Sequence, residues 1–289
     1  MFYLYAIGSM IGYSLQSVLM VHYCRKMDGL STATYRGLSF IITLTPLLLG
    51  GTITDIVELQ AYWKWLLIAG IAGGVSLGLA YSALNYVPMG VAGSLNKAFA
   101  TLTILFFAVT VLGEDVDRNT LMLIGIILLG TVALGMQKNH HEHLENNRMR
   151  GAILSALAST PFAITITIFS FLSRSHNPWV VGYFWEVSVG IGALALVLIR
   201  WLLTGQGVAR ISMKDFCLLS LCASPTLIGT GLFGLATKIG PMSIVSSIGT
   251  ASLVVTSMIA WLFYKEPLRA KQWICIIVVM AGIVGLRFV

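Results

Sequence analysis

The stretch "ALNYVPMG", residues 83–90, returns as "ATKIGPMS" at 236–243, which sets Pro88 against Pro241 and Met89 against Met242. The match runs on at a nearly constant offset: Glu114 lies 16 residues before Gly130, and Glu266 lies 16 before Gly282. A chain that repeats itself over half its length is built from two copies of one structural unit.

Composition says what that unit is made of. Of 289 residues, 57% are hydrophobic and 10% charged, and the mean hydropathy is +0.88. A hydrocarbon core of about 30 Å needs roughly twenty apolar residues per helix. Such runs occur near 2–24, 30–50, 62–84, 88–112, 120–136, 150–173, 178–203, 216–237, 241–264 and 270–288. The sequence therefore predicts an all-α polytopic membrane protein of ten transmembrane helices: a first five-helix repeat over 1–136, a polar connecting loop over 137–149 and a second repeat over 150–289. Five is odd, so the second copy enters the membrane in the opposite sense. Inverted repeats around a central cavity are the architecture of many secondary transporters, with the binding site near the midplane.

The same composition narrows the function classes. Ten spans use almost the whole chain and leave no room for a sizeable soluble domain. The net charge is +7, but the basic residues are scattered over many loops, so no nucleic-acid partner is expected. No Lys or Arg precedes Arg25 and no small-residue cleavage site follows the first run, which reads as a retained helix and not a signal peptide. Cys24, Cys217, Cys222 and Cys275 have no C-x-x-C spacing and read as packing residues. His140, His141 and His143 sit in the linker "QKNHHEHLENNRMR", 137–150, where adjacent histidines lack the preformed geometry and supporting shell of a metal site. No metal, no cofactor and no enzymatic activity are expected, since paired intramembrane carboxylates and nucleotide-binding motifs are missing too.

"ALNYVP", then an apolar helix ending "VLGE" at 111–114, then "LIGIILLGTVALG" at 123–135 resembles the EamA-type family of the drug/metabolite transporter superfamily. "FYKEP" at 263–267 followed by "IIVVMAGIVGL" at 276–286 repeats the pattern, and Arg36 in the second helix suits it. The resemblance covers both halves and implies ten helices arranged as a basket around a central cavity, and transport of a small organic solute. One departure stands out: family members often carry a proline within the fourth and ninth helices, where this chain has Lys97-Ala98 and Gly249-Thr250.

Charge placement points to the site. Ten of the eleven acidic residues fall in loops or at helix ends, Glu186 being the exception; of the 18 basic residues, Arg36 and Lys97 lie well inside a span. At 1.5 Å per residue Lys97 is roughly 13 Å beyond Pro88, Glu186 about 12 Å beyond Pro178 and Arg36 about 9 Å beyond Leu30, all near the midplane. Such groups face the bundle or a wet cavity, not lipid. Gly90, Gly93, Ser94 and Thr101 share the face of Lys97, and Gly182, Gly190 and Ala193 share that of Glu186. Either the three charges simply neutralise one another as packing elements, or at least one of them touches substrate or a coupling proton. Lys97 is expected to receive the anionic group of a substrate, or Glu186 when the site is empty. Tyr81 shares a face with Gly74, Gly78 and Asn85, and Trp185 and Trp261 lie within spans, where aromatic rings can stack on a solute. Pro161 and Pro225 are placed to break the sixth and eighth helices.

The candidate substrate-binding set is thus Lys97, Glu186, Arg36, Tyr81, Asn85, Trp185 and Trp261, with Glu186 also the candidate coupling residue. The function expected is secondary active transport, by alternating access, of a small polar or amphipathic, amino-acid-like solute, proton-coupled or exchanging. A more anionic metabolite or nucleotide-like cofactor is the alternative substrate, and a lipid flippase the alternative class. Solute and membrane lipid are the expected partners, the chain a monomer or homodimer, and the location the bacterial cytoplasmic membrane.

Orientation follows from the positive-inside rule. Odd-numbered loops hold eleven Lys and Arg (Arg25, Lys26, Lys138, Arg148, Arg150, Arg200, Arg210, Lys214, Lys265, Arg269 and Lys271), against five on the other side (Lys64, Arg118, Arg174, Lys238 and Arg287). Odd loops are therefore expected in the cytoplasm. A cysteine placed at position 140, with the four native cysteines removed, should stay unlabelled by a membrane-impermeant maleimide in intact cells; labelling there would reverse the orientation.

Overall fold

The computed structural model describes residues 1–87, 89–136, 148–264 and 270–288; the side chains of 89, 90, 135, 148, 260, 261, 263 and 264 fall outside the description. Pro88, most of the 137–149 connector with its three histidines, Lys265, Glu266, Arg269 and the indole of Trp261 therefore lie outside the described residues. Among the described residues there are thirteen α-helices, one 3-10 helix and no strand. In chain order the α-helices are α1 (Phe2–Lys26), α2 (Gly29–Thr43), α3 (Ile53–Gln60), α4 (Trp63–Ala83), α5 (Met89–Thr110), α6 (Arg118–Gly135), α7 (Arg148–Ser175), α8 (Pro178–Thr204), α9 (Met213–Ala223), α10 (Thr226–Ile239), α11 (Met242–Thr250), α12 (Ser252–Tyr264) and α13 (Ala270–Gly285), with the 3-10 helix at Thr45–Gly50.

Seven stretches are long and apolar enough to cross a membrane: Phe2–Lys26, Trp63–Ala83, Val91–Thr110, Met149–Ser175, Pro178–Thr204, Met213–Ile239 and Met242–Ile259. Three of the ten expected spans fall short of that measure. α6 and α13 are apolar but short. Over 30–50 the chain is a 15-residue α-helix that gives way to the 3-10 turn at Thr45–Gly50. Pro46 explains the change, because it cannot donate to the ladder and it disfavours helical geometry in the residue before it.

The helix ends are set by short polar side chains in the connections. Asp28 accepts from the Ser31 N–H to start α2. Thr52 and Asp55 form a capping box on α3, Asp117 caps α6, and Asn177 caps α8 with Pro178 in the first turn. α8 ends at Gly205, whose φ of 74° is the left-handed region where glycine carries no steric penalty. These groups satisfy helix-terminal N–H and C=O in the connections between helices.

Pro161 and Pro225 behave differently. α7 runs unbroken through Pro161, whereas the Ser224–Pro225 turn divides α9 from α10. A second discontinuity, at Ala251 between α11 and α12, has no proline to announce it.

In lipid, helices gain nothing by hiding apolar surface from one another, so close backbone approach and polar bonds hold the bundle. α2 crosses α8 at Gly37 and Gly190: a Cβ on Gly37 would stand 2.1 Å from the Gly190 Cα, and one on Gly190 would stand 2.5 Å from the Gly37 Cα. The other principal packings are α1 on α10, α4 on α7 and α8, α5 on α7, and α6 on α13. Gly37→Ala should therefore force α2 and α8 apart and lower the melting temperature, by the equivalent of about 1–3 kcal/mol. Gly125, which has nothing within 4 Å of an added Cβ, is the control: Gly125→Ala should leave the melting temperature unchanged or raise it.

Candidate functional site

A cavity of about 230 Å3 lies at the centre of the bundle, walled by α1, α2, α4, α5, α7, α8, α10 and α11. It is lined along α1 from Ala6 to Cys24, roughly 27 Å of helical rise, so it is long and narrow. Five of the expected site residues, Arg36, Tyr81, Lys97, Trp185 and Glu186, line it. Asn85 does not: it lies in the turn after α4 ends at Ala83. Trp261 belongs to α12, but its side chain is outside the described residues.

The cavity's charges divide into a pair and a single. Arg36 Nη2 is 3.1 Å from Glu186 Oε2 and 3.4 Å from Oε1. Arg36 is 5% exposed and Glu186 1%, so neither charge relies on water. Thr230 Oγ1 donates to Glu186 Oε1 at 2.7 Å and is 2.8 Å from the Tyr13 hydroxyl. A threonine hydroxyl has one proton, and since that proton goes to Glu186, Tyr13 is the donor to Thr230. The chain Tyr13–Thr230–Glu186–Arg36 thus ties together α1, α10, α8 and α2. The Arg36 guanidinium also lies over the Phe40 ring, 4.4 Å from its centroid, and its buried Nε has no acceptor.

Lys97 stands apart. Its Nζ is 5.3 Å from the centroid of the Phe162 ring, and among the described residues it has no anion or hydrogen-bond acceptor. The expectation that Glu186 falls to Lys97 in an empty site is corrected here: Arg36 and Thr230 hold the carboxylate. Depth along a helix, which is all that sequence spacing supplies, does not say which of two cations faces an anion across the bundle.

Trp185 is anchored as well as exposed to the cavity. Its Nε1 donates to Thr165 O at 3.1 Å and to Oγ1 at 2.9 Å, and its ring lies 4.8 Å from that of Phe169. Of the small face foreseen for Lys97, Gly93 and Thr101 line the cavity. The Thr101 and Thr250 hydroxyls bond each other and join α5 to α11. Tyr13, Gln16, Thr230 and Ser246 are functional candidates that sequence reasoning missed. For α1 a signal exists: Tyr13 follows Ser9 by four residues, and Gln16 and Ser17 follow Tyr13 by three and four, a polar stripe on an apolar helix. Ser246, whose Oγ is buried without a partner, also faces the cavity.

At the end of the bundle where α11 begins, Glu114 closes the structure. Its carboxylate accepts from the N–H groups of Met242 at 2.6 Å and Ser243 at 3.0 Å, from Ser243 Oγ at 2.7 Å and from Arg174 Nη2. Arg174 Nε in turn donates to Thr237 O at 3.3 Å. Burial favours the neutral acid, but these hydrogen bonds outweigh it and hold Glu114 below the ordinary carboxyl range. A folded-state pKa below the unfolded one contributes stability that is present above the unfolded value and lost as pH falls through the folded one. Glu114→Gln should therefore lower the melting temperature at pH 7, by about 1–2 kcal/mol of cap and pair energy. The gap should narrow as the pH falls below about 4, and a gap that is the same at pH 7 and pH 3.5 would remove the charge from the explanation.

Comparison with known proteins agrees with this architecture. A solved chain titled "Crystal structure of protein" superposes with a TM-score of 0.69 at 16% sequence identity, covering 97% of this chain and 96% of its own, a likeness of fold. No curated protein matches the sequence. The model of the EamA-like transporter family matches residues 1–136 and again 149–288. A polytopic helical membrane protein with a central cavity, matched over nearly its whole length and in both halves, belongs to the EamA-like transporter family.

Proposed function

We propose that this protein is a secondary active transporter that carries a small amphipathic metabolite, of amino-acid size, through the central cavity by alternating access across a bacterial cytoplasmic membrane. The observation that carries the reading is the set of charges in that cavity. Arg36, Glu186 and Lys97 sit at membrane depth, where ionised groups are costly and, when present, usually mark a pathway for solute or ions.

The architecture we propose is ten spans in two inverted five-helix repeats. Its support is the symmetry of the packing: exchanging the halves, so that α1 becomes α7, α2 becomes α8, α4 becomes α9–α10, α5 becomes α11–α12 and α6 becomes α13, carries one packing pair into another. The α1–α10 pair becomes α7–α4, α1–α11 becomes α7–α5, and α2–α8, α6–α13 and α5–α11 map onto themselves. On this reading α2 and its 3-10 extension cross together over roughly 34 Å, and α6 and α13 cross by local thinning of the bilayer. In such a scaffold, the Glu114–Arg174 cluster at the start of α11 is the closed end and the cavity works by opening it.

Coupling is assigned to Glu186. A carboxylate that exchanges Arg36 for a proton as solute enters or leaves ties the two fluxes together. Glu186→Gln keeps an acceptor for Thr230 and removes the charge. In proteoliposomes it should abolish accumulation driven by a pH gradient while solute exchange at equal pH continues. Accumulation at the wild-type level in that variant would rule out this coupling role. A second substrate reading, a more anionic metabolite, is favoured by the unpartnered Lys97.

A further inference from the structure

We infer that the cavity is selective for a monoanion, a single carboxylate on an apolar body anchored by Lys97, and that it offers no seat for a substrate ammonium. This rests on the transporter reading only in taking the cavity to be the place where solute sits.

The argument is one of charge balance. Among the described residues that line the cavity, Arg36, Lys97 and Glu186 are the charged ones. With Glu186 ionised and paired, the arrangement described, Arg36 and Glu186 cancel at 3.1 Å, and Glu186 Oε1 is taken by Thr230 as well. What is left is one positive charge, the Lys97 ammonium, with three donors and no acceptor, set beside the Phe162 ring. An unbalanced charge away from bulk water is unfavourable until an anion joins it. One negative charge completes the balance. A zwitterion brings an ammonium that no free carboxylate receives, and a dianion replaces the surplus of one sign with a surplus of the other. The remainder of the wall suits the body of such a solute: Phe162, Trp185, Phe233, Leu77 and Ile166 give it an apolar, partly aromatic lining on which a flat hydrocarbon group packs.

Four compounds on one skeleton separate the charge classes: 3-phenylpropionate, phenylalanine, 2-phenylethylamine and phenylsuccinate, titrated calorimetrically into the purified full-length protein at pH 7. 3-Phenylpropionate should bind at least about tenfold more tightly than the other three, the usual scale for a hydrogen-bonded charge. Lys97→Gln should erase that preference without lowering the melting temperature, and Lys97→Arg should keep it. Tighter binding of phenylalanine, the amine or the dianion overturns the proposal, as does binding of 3-phenylpropionate that survives in Lys97→Gln, which would hand the anchor to Arg36. Binding of none of the four also overturns it. Counterflow in proteoliposomes tests the underlying reading separately: 3-phenylpropionate that binds through Lys97 but does not cross leaves the site assignment standing and removes the transport function, whereas transport of the amine or of phenylalanine alone does the reverse.

Discussion

A guanidinium and a carboxylate held 3.1 Å apart between α2 and α8 govern what can be packed around them, because neither is solvated by the hydrocarbon outside the bundle. Removing one partner of such a buried pair leaves an uncompensated charge, at a cost of about 3–5 kcal/mol. The surroundings answer to that constraint. Thr230 supplies a hydrogen bond to one carboxylate oxygen, Tyr13 supports Thr230, and the Phe40 ring face takes the flat side of the guanidinium. Four helices are thereby bound to one polar junction, which gives specificity that apolar packing in lipid does not.

The junction depends on how closely the backbones approach, and the glycines around it are placed to allow this. Gly37 follows Arg36 directly, and Gly190 lies one turn after Glu186; their contact brings α2 and α8 together where the two charges have to meet. On the other side, Gly182 lies one turn before Glu186, and a Cβ there would stand 3.1 Å from the Thr230 methyl. Glu186 is thus flanked at four-residue steps by glycines that admit its two partners from two different helices. The small residues that share the face of Glu186 in the sequence also set the geometry of the ion pair.

This explains what the sequence does and does not disclose. Spans are legible because lipid forces every backbone group to be satisfied within a helix, and the long apolar runs follow. The change from α2 to the 3-10 turn is legible in hindsight from Pro46; the break at Ala251, in the run "IGTASL" at 248–253, carries no such mark. Arg36, Lys97 and Glu186 announce themselves because charge is rare in a span. Tyr13 and Thr230 do not, since uncharged hydroxyls are common in these helices and only the fold picks out the two that touch. The four-residue step from Tyr81 to Asn85 puts both on one face only while the helix continues, and α4 stops at Ala83.

The two halves also differ where their matched positions face the same cavity. Lys97 in α5 corresponds to Gly249-Thr250 in α11, and the Thr101–Thr250 bond holds the two helices together beside it. A second lysine at the matched position would set two ammonium groups against each other across a narrow space, a repulsion that low dielectric strengthens. The chain instead has glycine there, with nothing within 4 Å of where its Cβ would lie, and the helix breaks two residues later. One copy of the unit contributes the charge and the other contributes the room beside it. A scaffold of two similar halves thereby acquires one charged pole, and the proposed selectivity for a solute with a single charged end rests on that asymmetry.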